Sequence, residues 1–222
     1  MVPKRITYLE KRDGMSREDF RKHWSTIHAD IARDLPGVVA YRQNHLYQAS
    51  PDGSPTDGGF AVDGIVELWF ADDSVVNAGF DSPVASRLAA DEVNFLSGLV
   101  GGAVEAAEPY APCPTKLWVL GRWMDAQAPD PGRVAAWADS QGAQWPGAGH
   151  VSVNFLHPEA PLLTRAALRS DPDLAQVAIA FSFEDGEAAA AAIDNVLEDM
   201  ESALFGVVVN ARAYLAEELV II

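Results

Sequence analysis

The chain contains little cysteine and few basic residues, and both shortages exclude functions. Cys113 is the single cysteine in 222 residues, so we expect no internal disulfide and no cysteine-based zinc cluster. Lys and Arg number 16 against 32 Asp and Glu, which gives a formal charge of −16. Nucleic acids and anionic membrane surfaces both bind basic patches. We therefore expect neither as a partner, and predict a small organic ligand that is uncharged or weakly charged.

Long apolar runs and nucleotide-binding motifs are also absent. No stretch approaches the run of about 18 apolar residues that a membrane helix needs. The first residues, "MVPKRITYLEKRDG", have no apolar leader segment, so we expect a cytoplasmic protein. The sequence contains no G-x-G-x-x-G, no P-loop and no G-x-S-x-G. These absences argue against the common phosphate-binding loops and against a hydrolase nucleophile.

The sequence contains two copies of one pattern. "PGVVAYRQNHLY" (36–47) aligns with "PGAGHVSVNFLH" (146–157), sharing the Pro-Gly pair, one Asn and one Leu at a constant offset. The proline-rich stretch "EPYAPCP" (108–114) lies between the copies and is typical of a linker.

Each copy has hydrophobic spacing that predicts the order strand, helix, strand, strand, helix, strand. This is the ferredoxin-like unit, an antiparallel sheet with helices on one face. The other face must also be buried, and two such sheets can bury it against each other. We therefore predict an α+β fold in which tandem repeats, residues 1–110 and 115–222, form a pseudo-dimeric α+β barrel.

The first predicted helix contains two of the five histidines. Ser16 is its expected N-cap, apolar residues recur at helical spacing, and Pro36-Gly37 ends the run. His23 and His28 are five residues apart, whereas side chains on one helix face are three or four apart. We therefore expect no shared metal ion, and predict that His23 is a boundary residue with a solvated tip.

Alternation along two predicted strands divides their side chains between two faces. The apolar set "V-L-F" within "GIVELWF" (64–70) should pack under the helices, which directs Glu67 and Trp69 into the barrel. A buried carboxylate beside an indole is costly unless it is paired, so Glu67 has a structural partner or a chemical role. We expect the same cavity to be lined by alternate residues of the preceding strand, namely Tyr41, Gln43, His45 and Tyr47. A polar network that only holds the barrel closed is the alternative.

Four segments resemble the EthD family of the dimeric α+β barrel superfamily. They are "SREDFRKHWSTIHADIARDLPGVVAYRQNH", "GIVELWF", "SPVAS" and "DEVNFL", and the resemblance spans residues 4–110. Residues 115–222 resemble the family only in element order and have no counterpart to His28. The second copy therefore resembles a degenerate partner that completes the barrel.

The resemblance implies acid–base chemistry without a cofactor, of the isomerase, cyclase or dehydratase type. In isomerases of this kind a helix histidine and the following strand tyrosine line the pocket, and these match His28 and Tyr41. We expect a small aromatic, lactone or polyketide-like substrate, with His28 as general acid or base and Tyr41 polarising a substrate oxygen. His45 and Glu67 would move or balance charge. The expected substrate contacts are Trp24, Gln43, Tyr47 and Trp69.

Several alternatives remain open at this point. The pocket could bind a ligand without chemistry, or the chain could be a cofactorless monooxygenase with Trp24 and Trp69 flanking the pocket. In haem-binding relatives of the barrel, a second-half histidine holds the haem, for which His150 and His157 are the candidates. The long connection 158–173 could be a lid or a mobile surface loop. Exposed edge strands could pair two copies into a homodimer.

Overall fold

The structure, a computed structural model, describes residues 1–49 and 60–222. The polar, Gly/Pro-rich stretch "ASPDGSPTDGG" (49–59), which we expect to connect two strands, lies outside the described residues from position 50 onward. The strands are β1 (Val2–Lys11), β2 (Val38–Ala49), β3 (Gly64–Phe70), β4 (Leu96–Ala107), β5 (Thr115–Trp123), β6 (Ala148–Phe155), β7 (Val177–Phe183) and β8 (Val208–Val220). The helices are α1 (Arg17–His23), α2 (Ala29–Ala32), α3 (Asp73–Phe80), α4 (Pro83–Phe95), α5 (Pro131–Gln144) and α6 (Gly186–Ala203). A π-helical turn (Trp24–His28) joins α1 to α2.

Local sequence signals begin and end these helices. The Ser16 hydroxyl accepts a hydrogen bond from the Asp19 backbone N–H at 3.0 Å, which caps α1 as expected. Ser82 caps α4 in the same way, and Pro83 occupies the first helical position. Gly37 has φ +79°, a left-handed conformation that turns the chain from the end of α2 into β2. A side chain there would also collide with Val75.

The π-helical turn has a local cause in two hydroxyl residues. Thr26 Oγ1 donates to the Lys22 carbonyl at 2.6 Å, and Ser25 Oγ donates to the same oxygen at 3.4 Å. Hydroxyls that bond to the preceding turn compete with the backbone ladder. The helix widens at this point, so residues five apart come to lie on one face.

The eight strands form one antiparallel sheet in the order β4-β1-β3-β2-β8-β5-β7-β6. The first half of the chain supplies β1 to β4 and the second half β5 to β8, with the join between β2 and β8. The predicted α+β fold is confirmed. That residues 1–110 and 115–222 are separate domains stays a prediction.

The outer edge of β4 is covered by residues 156–169, which we call the strap. Gly101 and Leu163 exchange backbone hydrogen bonds of 2.8 and 3.1 Å, and Leu99 N–H donates to the Arg169 carbonyl at 2.9 Å. Because these residues pair with β4, the alternative of a mobile surface loop is wrong for this part of 158–173. The strap brings a segment of the second half onto the first.

Burial is concentrated in three cores. One fills the sheet interior and includes Ile6, Tyr8, Ile65, Trp118 and Tyr214. The other two lie between the sheet and the helices of each half. Among the described residues, no helix combines the length and the apolar character needed to cross a bilayer.

Four buried charges lie in the sheet interior, and we call them the interior ion cluster: Lys4, Glu67, Lys116 and Glu218. Lys4 Nζ lies 2.7 Å from Glu67 Oε1, and Lys116 Nζ lies 2.7 Å from Glu67 Oε2. Lys116 also pairs with Glu218. The Tyr110 hydroxyl donates to Glu67 at 2.8 Å. Lys4 and Glu67 come from the first half, and Lys116 and Glu218 from the second, so the cluster joins the halves.

Pairing keeps Glu67 ionised in spite of its burial. Burial alone raises the pKa of Glu67, but Lys116 and Lys4 together hold that pKa well below its usual range. Burial lowers the pKa of Lys4, and the Glu67 charge opposes this change. Removal of one partner would leave an uncompensated buried charge, which costs far more than an exposed pair contributes.

We expect Glu67→Gln to destabilise the fold by about 3–5 kcal/mol, because two buried lysines lose their shared carboxylate. Chemical denaturation followed by circular dichroism measures this change in the free energy of unfolding. Asp30→Asn is the matched control, since Asp30 pairs with Arg33 on the exposed helix surface and should change stability little. Equal losses in the two variants would contradict the assigned role of the cluster.

Candidate active site

The register of β2 against β3 places the predicted site residues on two faces of the sheet. Tyr41 pairs with Leu68, and Arg42 pairs with Glu67. Directly paired residues point to the same side of a sheet. Glu67 and Trp69 therefore face the sheet interior, as expected, while the predicted lining residues of β2 do not. The expectation of one shared cavity is wrong for Tyr41, Gln43, His45 and Tyr47.

The physical reason is that alternation shows which residues of a strand share a face. It does not show whether that face lies towards the sheet interior or towards the helices. A shift of one residue in pairing moves a whole strand's side chains to the opposite side. Tyr41, Gln43 and His45 are buried beneath the helices, and Tyr47 is 43% exposed beside a register irregularity between Leu46 and Gln48.

The helix side of the first half contains an apolar cavity of about 60 Å³. Its polar lining groups are His28, Tyr41 and Thr7. Leu163 of the strap also lines it. The remaining walls are apolar side chains of the sheet and helices: Leu9, Ala32, Leu35, Val66, Leu68, Leu88, Leu96 and Leu99.

Asp91 of α4 holds two histidines of the first helix. His28 Nδ1 lies 3.0 Å from Asp91 Oδ2, and His23 Nε2 lies 2.9 Å from Asp91 Oδ1. Asn94 Nδ2 donates to the same carboxylate at 3.3 Å. Burial raises the pKa of Asp91, but the hydrogen bonds from His28, His23 and Asn94 outweigh it and lower this pKa to about 2. Asp91 is therefore ionised at neutral pH and accepts from both rings.

The π-helical turn explains why both histidines reach one carboxylate. In a regular α-helix, residues five apart point in different directions. The turn from Trp24 to His28 adds the residue that brings His23 and His28 to the same face. The side chain of His23 is 17% exposed, as a boundary residue would be, but the expectation of a solvated tip is wrong, because Nε2 bonds to Asp91 and the ring stacks on Phe95. Within the described ranges, no group of three or more His, Cys, Asp or Glu side chains is arranged to hold a metal ion.

Asp91 was not among the predicted site residues, although it lies in the segment "DEVNFL". The available signal was its position on α4, whose buried residues are Ala85, Leu88, Asp91, Glu92 and Phe95. A carboxylate at such a position needs a buried partner. The sequence contains several partners of that type, so the pairing with His28 could not be selected from it.

The Tyr41 hydroxyl is held in place by two donors. Trp24 Nε1 donates to it at 3.0 Å, and Gln43 Nε2 donates to it at 2.9 Å. Burial raises the pKa of Tyr41 to about 12, although the bonds from Gln43 and Trp24 oppose the change. Tyr41 is therefore protonated at neutral pH. Because two donors fill its lone pairs, its own O–H is available for a group in the cavity.

His45 extends this network away from the cavity. Its Nε2 lies 3.0 Å from Gln43 Oε1, and its ring packs on Trp24 with centroids 4.3 Å apart. Burial and the Arg21 charge lower the pKa of His45 to about 3, so the imidazole is neutral at neutral pH. His45 therefore supports Gln43 and Trp24, and it does not reach the cavity that His28 lines.

The two candidate haem ligands lie elsewhere. His150 stacks on the Tyr110 ring, with centroids 4.4 Å apart, at the edge of the interior ion cluster. His157 is exposed and lines an open pocket beside Arg5. Neither histidine contributes to the cavity lined by His28.

The chain is similar to known proteins in part of its sequence and in its fold. Residues 12–98 match the family model of the EthD domain, and no curated protein matches the chain. An anthrone oxidase-like protein is similar in structure, with 10% identity, a TM-score of 0.62, and coverage of 99% of this chain and 93% of that one.

Two further solved structures cover 99% of this chain and 96% of their own. A candidate monooxygenase from Lactobacillus acidophilus has 12% identity and a TM-score of 0.52. A candidate chlorite dismutase has 11% identity and a TM-score of 0.53. At such low identity, these likenesses show the fold alone.

The low pKa of Asp91 predicts a pH-dependent contribution to stability. A carboxyl that titrates lower in the folded than in the unfolded chain stabilises the fold above its unfolded pKa, near 4. That contribution is lost as the pH falls towards about 2. We expect Asp91→Asn to be less stable than the parent near pH 6, with a smaller difference near pH 3. Denaturant titrations at both pH values measure this.

Asp34→Asn is the control for this experiment, because Asp34 is 65% exposed and forms a long pair with Arg87. A deficit of Asp91→Asn that stayed constant between the two pH values would contradict the assigned ionisation.

Proposed function

We propose that this chain, whose residues 12–98 match the EthD domain model, is an acid–base enzyme. It would move a proton on a small aromatic, lactone or polyketide-like carbonyl compound. One observation carries the proposal. The Asp91-bound imidazole of His28 and the held hydroxyl of Tyr41 line the same apolar cavity. A base and a hydrogen-bond donor that converge in an apolar cavity suit proton abstraction next to a carbonyl.

His28 acts as the base in this proposal. Asp91 is ionised and can only accept, so His28 Nδ1 carries the hydrogen and its Nε2 is left to take a proton. Asp91 also stabilises the imidazolium that forms when the substrate is deprotonated. Asp91 is thus a positioning residue, and His28 is the group that exchanges the proton.

Tyr41 stabilises the oxygen of the substrate. Abstraction of a proton next to a carbonyl moves negative charge onto that oxygen, where a fixed donor lowers the barrier. Trp24 and Gln43 orient the Tyr41 hydroxyl before the substrate arrives, so little reorganisation is needed during the reaction. The apolar walls strengthen both interactions, because they exclude water.

The fate of the enolate distinguishes the reaction types. Return of the proton to a different carbon gives an isomerase, and loss of a β-hydroxyl gives a dehydratase. The names of two structural neighbours suggest monooxygenase and anthrone oxidase-like chemistry, which on a carbon acid would also begin with loss of a proton. Proton abstraction is therefore the step to test first.

We expect the protein to exchange the methyl protons of acetophenone, and the ring protons of α-angelica lactone, with D2O. Proton NMR follows the loss of signal against a protein-free sample. His28→Gln should slow exchange by about 10²- to 10⁴-fold, the usual contribution of a general base. Tyr41→Phe should slow it by about 10²- to 10³-fold, because the developing oxyanion loses its donor.

His150→Gln is the matched control, since His150 lies outside the cavity and should leave the exchange rate unchanged. Exchange that persisted in His28→Gln would refute the assignment of the base. Ketone binding without any exchange, in a folded parent protein, would instead identify a binding protein.

A further inference from the structure

One wall of the cavity that His28 lines comes from the second half of the chain. Leu163 of the strap lines this cavity, and the other lining residues belong to the first half. The match to the EthD domain ends at residue 98, so the strap lies outside the matched segment. The strap therefore adds to the site a side chain that the EthD pattern does not specify.

The burial of the lining side chains shows where the cavity opens to solvent. Nine of the twelve lining residues are buried, and three are partly exposed: His28, Leu68 and Leu163. These three come from the π-helical turn, from β3 and from the strap, so the mouth of the cavity lies where these elements meet. Tyr41 is 2% exposed and lies inside the mouth. A substrate therefore enters past His28 and Leu163.

This arrangement fixes the direction in which a carbonyl compound enters. Its oxygen must pass the mouth to reach the hydroxyl of Tyr41, which the buried side chains of Trp24 and Gln43 hold. The carbon that loses the proton must stay within reach of His28, at the mouth. Groups attached to that carbon are then directed towards the mouth, where Leu163 lies.

The volume of the cavity limits what passes this mouth. An apolar cavity of about 150 Å³ binds benzene. The cavity beside His28 measures about 60 Å³, so it holds a carbonyl group and the neighbouring carbon but not a whole ring as well. The rest of any ring must stay outside the mouth, and a branch on the reacting carbon competes with Leu163 for the remaining space.

The strap holds Leu163 in a fixed position. The backbone of Leu163 exchanges hydrogen bonds of 2.8 and 3.1 Å with Gly101 of β4. Two residues further along, Arg165 forms two hydrogen bonds to the carboxylate of Glu92 on α4. A wall that is bonded to both the sheet and a helix cannot retreat without breaking these bonds. It therefore discriminates between groups by their size.

We propose that Leu163 determines the substrate specificity of the site, by admitting carbonyl compounds whose reacting carbon is an unbranched methyl or methylene group. This inference rests on the proposed function, and it adds the substrate class. The preferred substrates carry CH3 or CH2 next to the carbonyl. A compound with two substituents on the reacting carbon is disfavoured, because one of them meets Leu163.

The test measures exchange with D2O for acetophenone, propiophenone and isobutyrophenone, which carry zero, one and two methyl groups on the reacting carbon. Proton NMR gives kcat/KM for each ketone, and division by the exchange rate in protein-free buffer removes the difference in intrinsic acidity. With the unaltered protein, we expect acetophenone to exceed isobutyrophenone by about 10- to 200-fold, the usual effect of an excess methylene in a tight pocket. Equal normalised values would overturn the proposal.

Variants of Leu163 locate the discrimination. Leu163→Ala widens the mouth and should reduce the preference by about 10-fold or more, through faster exchange of isobutyrophenone. Leu163→Phe narrows the mouth and should slow propiophenone more than acetophenone, which tests the same contact if the alanine variant does not fold. Leu162→Ala is the matched control, since Leu162 is the neighbouring strap residue, is 46% exposed and does not line the cavity. An unchanged preference in a folded variant of Leu163 would refute its role.

Binding of the same three ketones, measured by calorimetry, separates this inference from the proposed function. A binding preference that depends on Leu163, without proton exchange, would support the specificity role and refute the proposed chemistry. Exchange of all three ketones at equal normalised rates through His28 would support the chemistry and refute the role of Leu163. The absence of both binding and exchange would refute both.

Discussion

The pairing of β2 with β3 in one register determines which side chains meet on each face of the sheet. Arg42 lies opposite Glu67, so the interior of the sheet receives Glu67 and the helix side receives Tyr41. A shift of one residue would place the tyrosine among the buried lysines and the carboxylate under the helices. The interior ion cluster resists such a shift, because Glu67 is bonded at both carboxylate oxygens to lysines of different halves.

Because the register keeps Glu67 and Tyr41 on opposite faces, one sheet can hold buried charges on its interior face and an apolar cavity on its helix face. The interior face contains four buried charges that pair with one another, an arrangement that specifies a geometry more than it adds stability. The helix face has an apolar cavity where His28 and Tyr41 are each held by other side chains. The second half has no counterpart to His28, yet it completes this cavity through Leu163 of the strap. The strap is held by pairing with β4 and by ion pairs of Arg165 with Glu92 and of Arg169 with Glu10.

Local signals in the sequence predicted the parts of the fold that depend on neighbouring residues. Ser16 and Gly37 marked helix ends, and alternation grouped Glu67 with Trp69. The relative register of two strands depends on contacts distant in the chain, and it could not be inferred from alternation. The π-helical turn was missed for a similar reason. The Thr26 hydroxyl competes with the helix backbone for the Lys22 carbonyl, but the apolar residues around it keep the spacing of an ordinary helix. Without that turn, neither the shared carboxylate nor the role of Asp91 could be predicted.

The site also restricts which groups can transfer a proton near neutral pH. Asp91 is ionised and saturated by donors, and Tyr41 is protonated because burial raises its pKa to about 12. His45 is neutral, with its pKa lowered to about 3, and it lies behind Gln43. The imidazole of His28 is thus the group in the cavity whose ordinary chemistry includes both acid and base. In the proposed reaction, the Asp91 carboxylate at Nδ1 and the Tyr41 hydroxyl on the same cavity orient this imidazole, so that its Nε2 takes the proton from the substrate.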